Sequence, residues 1–134
     1  MRGKQRALWL GGFAQARDNL RVTIEWALSE PAHRDHGVWL AAAMETFWWM
    51  RGEYSEGRQL LAPLATDLTL PPPDRTRLLR TLGVLCWGQG DLAQAQPLLQ
   101  EAAQLALDHG DQRSAGWSLL HLMSVFLQLG EYER

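Results

Sequence analysis

The chain has 134 residues, 46 % hydrophobic and 21 % charged, with a net charge of -2 and one cysteine. This balance fits one soluble folded domain with a real core and excludes a disordered chain. It gives no basic footprint, so no phosphate-backbone surface is expected unless Arg75, Arg77 and Arg80 form one locally, and Cys86 alone can build neither an internal disulfide nor a multi-cysteine zinc framework. No apolar run reaches the ~18 residues of a membrane span, and Ala7 to Leu10, followed by two glycines, is too short for a signal core. The expected setting is a reducing cytoplasm, with no membrane and no direct nucleic-acid contact.

In chain order, Phe13, Leu20, Ile24, Ala27 and Leu28 recur at helical spacing, which predicts a helix from Phe13 to Ser29 that Pro31 stops. Gly11-Gly12 makes Ala7 to Leu10 a separate turn or a frayed extension. Asp35 is the expected N-cap of a second helix reaching Met50, with Gly52 as its stop. The third runs from Tyr54 to Leu68 with Leu60, Leu61, Leu64 and Leu68 inward, and Pro71-Pro72-Pro73 cannot continue it. Helix four follows Asp74 and ends near Gly88. Helix five covers Leu92 to Asp108 with Gly110 as its stop, and helix six runs from Gln112 or Arg113 to Leu129. Pro63 and Pro97 fall inside predicted helices and are expected to bend them. No stretch alternates with period two.

Gly90-Asp91-Leu92 has two echoes, Gly52-Glu53-Tyr54 and Gly130-Glu131-Tyr132. In each, a glycine closes one helical pattern, an acidic residue follows, and an apolar residue opens the next. The glycines stand 38 and 40 residues apart, a period that signals stacked helix hairpins. The prediction is an all-α, right-handed α-solenoid of antiparallel hairpins. It has about six helices: an N-terminal helix region over 1–30, repeats over 33–70 and 74–109, and a truncated third repeat over 111–134.

Aligned on the turn glycine, Leu79, Leu82, Gly83, Cys86, Gly90, Leu92, Ala95, Leu99 and Ala102 resemble the tetratricopeptide (TPR) pattern. Small residues fall where helices must approach: Gly83, Ala95 and Ala102. The first unit matches through Met44, Trp48, Gly52, Tyr54, Gly57 and Leu61, with Glu45 where a small residue is usual. The last has Leu119, Leu122, Phe126, Gly130 and Tyr132, and departs at Met123. The period exceeds the family's ~34 residues. Separately, Asp18-Asn19-Leu20-Arg21 with Glu25-Trp26-Ala27-Leu28 resembles the helix after the nucleotide-binding core of bacterial ATPase regulators of the LuxR and AfsR type, in which TPR repeats come next. That resemblance implies a sensor or scaffold segment of a longer bacterial transcriptional regulator, or a short stand-alone relative. It transfers no ATPase activity.

Gly88-Gln89-Gly90-Asp91-Leu92-Ala93 matches G-x-G-x-x-A but follows a helix, whereas a dinucleotide loop follows a strand. With Lys4 as the only lysine, no phosphate-binding P-loop exists. His33 and His36 flank Asp35 at a spacing metals use, yet a solvated helix start is the stronger reading and no metal is expected. Cys86 sits at a packing position and reads as an inert core thiol. Trp26 and Trp48 likewise read as packing residues.

In TPR hairpins the first helix of each unit lines a concave face. The matching positions here are Trp39, Ala42, Thr46 and Trp49; Arg77, Arg80, Val84 and Trp87; and Trp117, Leu120, Ser124 and Leu127. Trp49 and Trp87 should stack, and His121 lies near Trp117. The candidate site is therefore Trp39, Trp49, Arg77, Arg80, Trp87, Trp117 and His121, with no catalytic residues and no cofactor. Aromatics with arginine suit a protein or peptide segment bearing apolar anchors and an acidic group. The alternative is a small-molecule effector in a tryptophan-lined pocket, and a further alternative is that the N-terminal helix folds into the groove. The apolar stripe of helix six offers self-association.

Overall fold

A computed structural model describes Gln15 and residues 18–133, with side chains to 130. Among them the protein is all-helical. Residues 18–29 form α1; Phe13 and the Ala7 to Leu10 turn lie outside the described residues. Then come α2 (Arg34–Ala43), α3 (Glu45–Arg51), α4 (Tyr54–Leu61), α5 (Pro72–Gly88), α6 (Leu92–Asp108) and α7 (Gln112–Glu133), with 3-10 turns at Pro31–His33 and Ala62–Leu64.

On α1, Ile24, Ala27 and Leu28 are buried at the expected spacing, whereas Leu20 and Trp26 are exposed. Trp26 is thus not a core packing residue; its ring stacks on His33 at 5.2 Å. The single helix expected from Asp35 to Met50 is two. At Met44 the ψ angle is -6°, and its N–H bonds to both Leu40 and Ala41 carbonyls, so the chain tightens by one turn before α3. His33 occupies the cap position of α2 and Asp35 lies inside the first turn, where its carboxylate complements the helix dipole.

The third predicted helix is shorter than expected. Pro63 lacks an N–H and its ring clashes with the carbonyl four residues back, and here α4 stops at Leu61 in a 3-10 turn. Leu68, expected inward, is 81 % exposed. Pro97, by contrast, is carried inside an unbroken α6. Helix α5 opens on Pro72 and Pro73, whose missing donors cost nothing in a first turn.

Three turns share one construction. Gly52, Gly90 and Gly110 adopt positive φ of 68°, 77° and 71°. The next residue donates to the carbonyl five back: Glu53 to Trp48, Asp91 to Cys86 and Asp111 to Ala106, each at 2.9 Å. This is the Schellman closure of a helix end. Asp91 and Asp111 also begin the next helix, because their Oδ1 atoms accept from Gln94 N at 3.3 Å and Ser114 N at 3.1 Å. Gly110 thus stops α6, as expected, with the construction expected again at Gly130. At Gly130 α7 runs on to Glu133, since glycine permits a left-handed turn without requiring one.

Helix α5 is central, packed on α2, α3, α4, α6 and α7. Against α6 it sets Gly83 on Leu98 and Leu99, while Leu79, Leu82 and Cys86 share one buried core with Ala95, Leu99 and Ala102. A Cβ on Gly83 would lie 2.8 Å from Leu99 Cγ. Gly57 likewise admits the ring of the fully buried Trp48. Each such buried side chain contributes roughly 1.5–3 kcal/mol.

Candidate binding site

Three helices turn one face each toward a shared cavity of about 370 Å³. Helix α3 supplies Glu45 and Trp49, four residues apart, with Thr46 beside them. Helix α5 supplies Arg80, Val84 and Trp87, and α7 supplies Trp117 and His121. These separations of three, four and seven put each set on one side of its helix.

Trp49 and Trp87 stack, as their equivalent positions suggested, with centroids 5.1 Å apart at 29°. Trp49 also meets Tyr54 edge-on at 5.6 Å, and Trp87 faces His121 at 5.8 Å. The Trp87 indole N–H donates to Gln128 Oε1 at 2.6 Å, which fixes the ring between α3 and α7. Trp117 is half exposed and forms an open wall.

Five of the seven expected residues thus line one cavity: Trp49, Arg80, Trp87, Trp117 and His121. Trp39 and Arg77 do not line it and instead stack on each other alongside. The Arg77 guanidinium carbon lies 3.4 Å above the Trp39 ring, and the Trp39 N–H donates to Asp74 Oδ1 at 2.7 Å. No described residue of α1 lines the cavity. That helix packs on the α4 side, where Arg21 approaches Glu56 at 3.5 Å. Leu120 and Leu127 are exposed along α7, and so are Leu119, Met123 and Phe126, the stripe considered for self-association.

Glu45 is the lining residue that sequence reasoning passed over, and its signal was an acid where the repeat pattern wants a small side chain. Burial pushes its carboxyl above the usual range, opposed by Arg80 and Arg77. Thr81 lies close enough to act on it as well, yet Glu45 Oε1 and Thr81 Oγ1 make no hydrogen bond of good geometry. Burial, and then the Arg80 charge, lower the His121 pKa below the usual histidine range, so its ring is neutral at neutral pH. Arg80 forms no ion pair or hydrogen bond among the described residues. The arrangement is an aromatic box with one guanidinium, whose charge acts on Glu45 and Asp111 without a direct ion pair, and one carboxyl held above its usual range by burial.

Elsewhere, His33 stacks on His36 at 5.9 Å, and no group of three metal-ligating side chains occurs among the described residues. Cys86 is buried, and burial raises its thiol pKa, which disfavours the reactive thiolate. No described helix is long and apolar enough to cross a membrane. Comparison with protein-family models, curated proteins and solved structures finds no match.

Proposed function

We propose that the chain is a non-enzymatic interaction module, a TPR-like right-handed solenoid of helix hairpins, holding a peptide or protein segment between α3, α5 and α7. The observation that carries this reading is the cavity walled by Trp49, Trp87 and Trp117 with the Arg80 guanidinium, held in no direct ion pair, at its side. Aromatic walls bury an apolar anchor, and an uncompensated guanidinium selects an acidic group beside it. The hairpin geometry is supported by the capped glycine turns at Gly90 and Gly110 and by α6 packing on both chain neighbours. No convergent set of nucleophile, base and oxyanion donors accompanies the cavity among the described residues, which favours binding over catalysis.

The similarity of Asp18-Asn19-Leu20-Arg21 and its following turn to ATPase-type regulators supports a wider role. In it, the module is the sensor or scaffold part of a bacterial transcriptional regulator acting in the cytoplasm. A second reading, a small-molecule effector site, is favoured by volume, because about 370 Å³ falls within the roughly 300–1,000 Å³ of small-ligand pockets.

The test is selection of random heptapeptides displayed on phage, with the Trp87→Ala protein as counter-target. The expected outcome is enrichment of peptides pairing an apolar residue with an acidic neighbour, lost against Trp87→Ala. Enrichment that survives Trp87→Ala, or none at all, contradicts the groove reading.

A further inference from the structure

Three polar atoms near the α3–α5 crossing are buried without a hydrogen-bond partner: Glu45 Oε1, Arg77 Nε and Thr81 Oγ1. Native interiors leave few such atoms, and a cluster beside a cavity points to a missing polar group or proton. Glu45 and Arg80 share the cavity wall but form no ion pair. The groups bearing on Glu45 are Arg77, Arg80 and Thr81, all on α5. His121 of α7 lines the opposite wall of the cavity. Asp74 and Asp111 act on Arg77, and α2 and α4, also packed on α3, present no charge that acts on Glu45.

We propose that the cavity takes up one proton at Glu45 when an acidic side chain of the docked segment sets its carboxylate against Arg80. This rests on the reading of the cavity as a ligand site and adds how that site selects its occupant. The ligand brings a further carboxylate next to Glu45, and Arg80, whose charge already acts on Glu45 and Asp111, cannot compensate all of them. Two ionised carboxylates side by side in a poorly solvated cavity repel, so one of them binds a proton. Glu45 is the acceptor because burial already favours its neutral form. The proton comes from solvent, and the resulting O–H donates to the ligand carboxylate, so the unpartnered carboxyl becomes a hydrogen-bond donor. His121 stays neutral.

The sign follows from linkage. Uptake on binding means that affinity rises as pH falls, between the Glu45 pKa of the bound protein and that of the free protein. Above that window Glu45 is ionised in both states and the effect is gone.

The experiment is calorimetric titration of the full chain with 4-phenylbutanoate, a minimal apolar body with one acid, and with 4-phenylbutanamide. Buffers of different ionisation enthalpy then count protons. The acid is expected to bind about tenfold or more tighter than the amide at about pH 6. It should take up close to one proton and lose up to about tenfold in affinity per pH unit on raising pH. Glu45→Gln keeps the acid bound through its amide donor but abolishes the uptake and the pH dependence. Equal affinity for acid and amide, or uptake that persists in Glu45→Gln, overturns the inference and leaves the cavity reading standing. If neither compound binds, the cavity reading falls with it.

Discussion

Helix α5 carries two faces that solve opposite problems. Toward α6 it packs Leu79, Leu82, Gly83 and Cys86 into a closed apolar layer whose side chains are at most 3 % exposed. Toward α2, α3 and α7 it presents Arg77, Arg80 and Trp87, half-buried, with an unsatisfied nitrogen on Arg77 against α2 and a cavity beside Arg80 and Trp87. The closed face has the small residues that close approach demands, and its helices are joined by a fully capped turn. The open face has large rings that meet one another without filling the space between helices. On the proposed reading, stability resides on the first face and selectivity on the second, where unpartnered polar atoms and half-wet rings border a cavity.

Substitutions on the two faces should therefore separate fold from binding. The largest effect is expected from Leu99→Ala, which empties a fully buried site against Gly83. A loss of about 2–5 kcal/mol should appear in urea unfolding. Gly83→Ala places a methyl 2.8 Å from Leu99 Cγ and should cost about 1–3 kcal/mol as Leu99 is forced aside. Gly90→Ala meets nothing within 4 Å, so its whole effect is the left-handed backbone at φ 77°. A smaller loss of about 1–2 kcal/mol is expected there. If Gly90→Ala costs more than Leu99→Ala, the closed face is not what holds the fold.

A pH-dependent prediction concerns the open face. The folded-state pKa of Glu45 is raised, so the folded protein binds more protons than the unfolded chain and stability falls as pH rises from the unfolded value through the folded one. Glu45→Gln should remove that loss, giving a higher melting temperature than the parent at neutral pH and a smaller difference in acid. Asp111 acts in the other sense. Its bonds from Ser114 lower its pKa, so its stabilisation is present above the usual carboxylate range and is lost as acid takes the pH through the lowered value. A parent protein more stable than Glu45→Gln at neutral pH would show that Glu45 is satisfied rather than strained.

The all-helical class, the extent of α6 and the common cavity of five of the seven expected residues were legible in the sequence, because apolar spacing reports which side of a helix faces a neighbour. The failures have local causes. Gly110 and Gly130 carry the same residue type, but only the first is followed by an aspartate that closes one helix and caps the next. Pro63 and Pro97 look alike in sequence, yet one ends a helix and the other rides inside it; tertiary packing decides. Trp39 and Arg77 were assigned to the groove by register, and their mutual stacking beside it depends on side-chain directions that spacing does not encode. Glu45 was visible only as a breach of pattern.

The most direct test of the division between the faces is Trp117→Ala, read for binding and stability together. Trp117 is 50 % exposed, so its removal should change unfolding free energy by no more than about 0.5 kcal/mol. Affinity for the phage-selected peptides should fall about tenfold or more, as expected for an aromatic anchor wall. A protein that loses stability while its peptide affinity is unchanged would contradict the account.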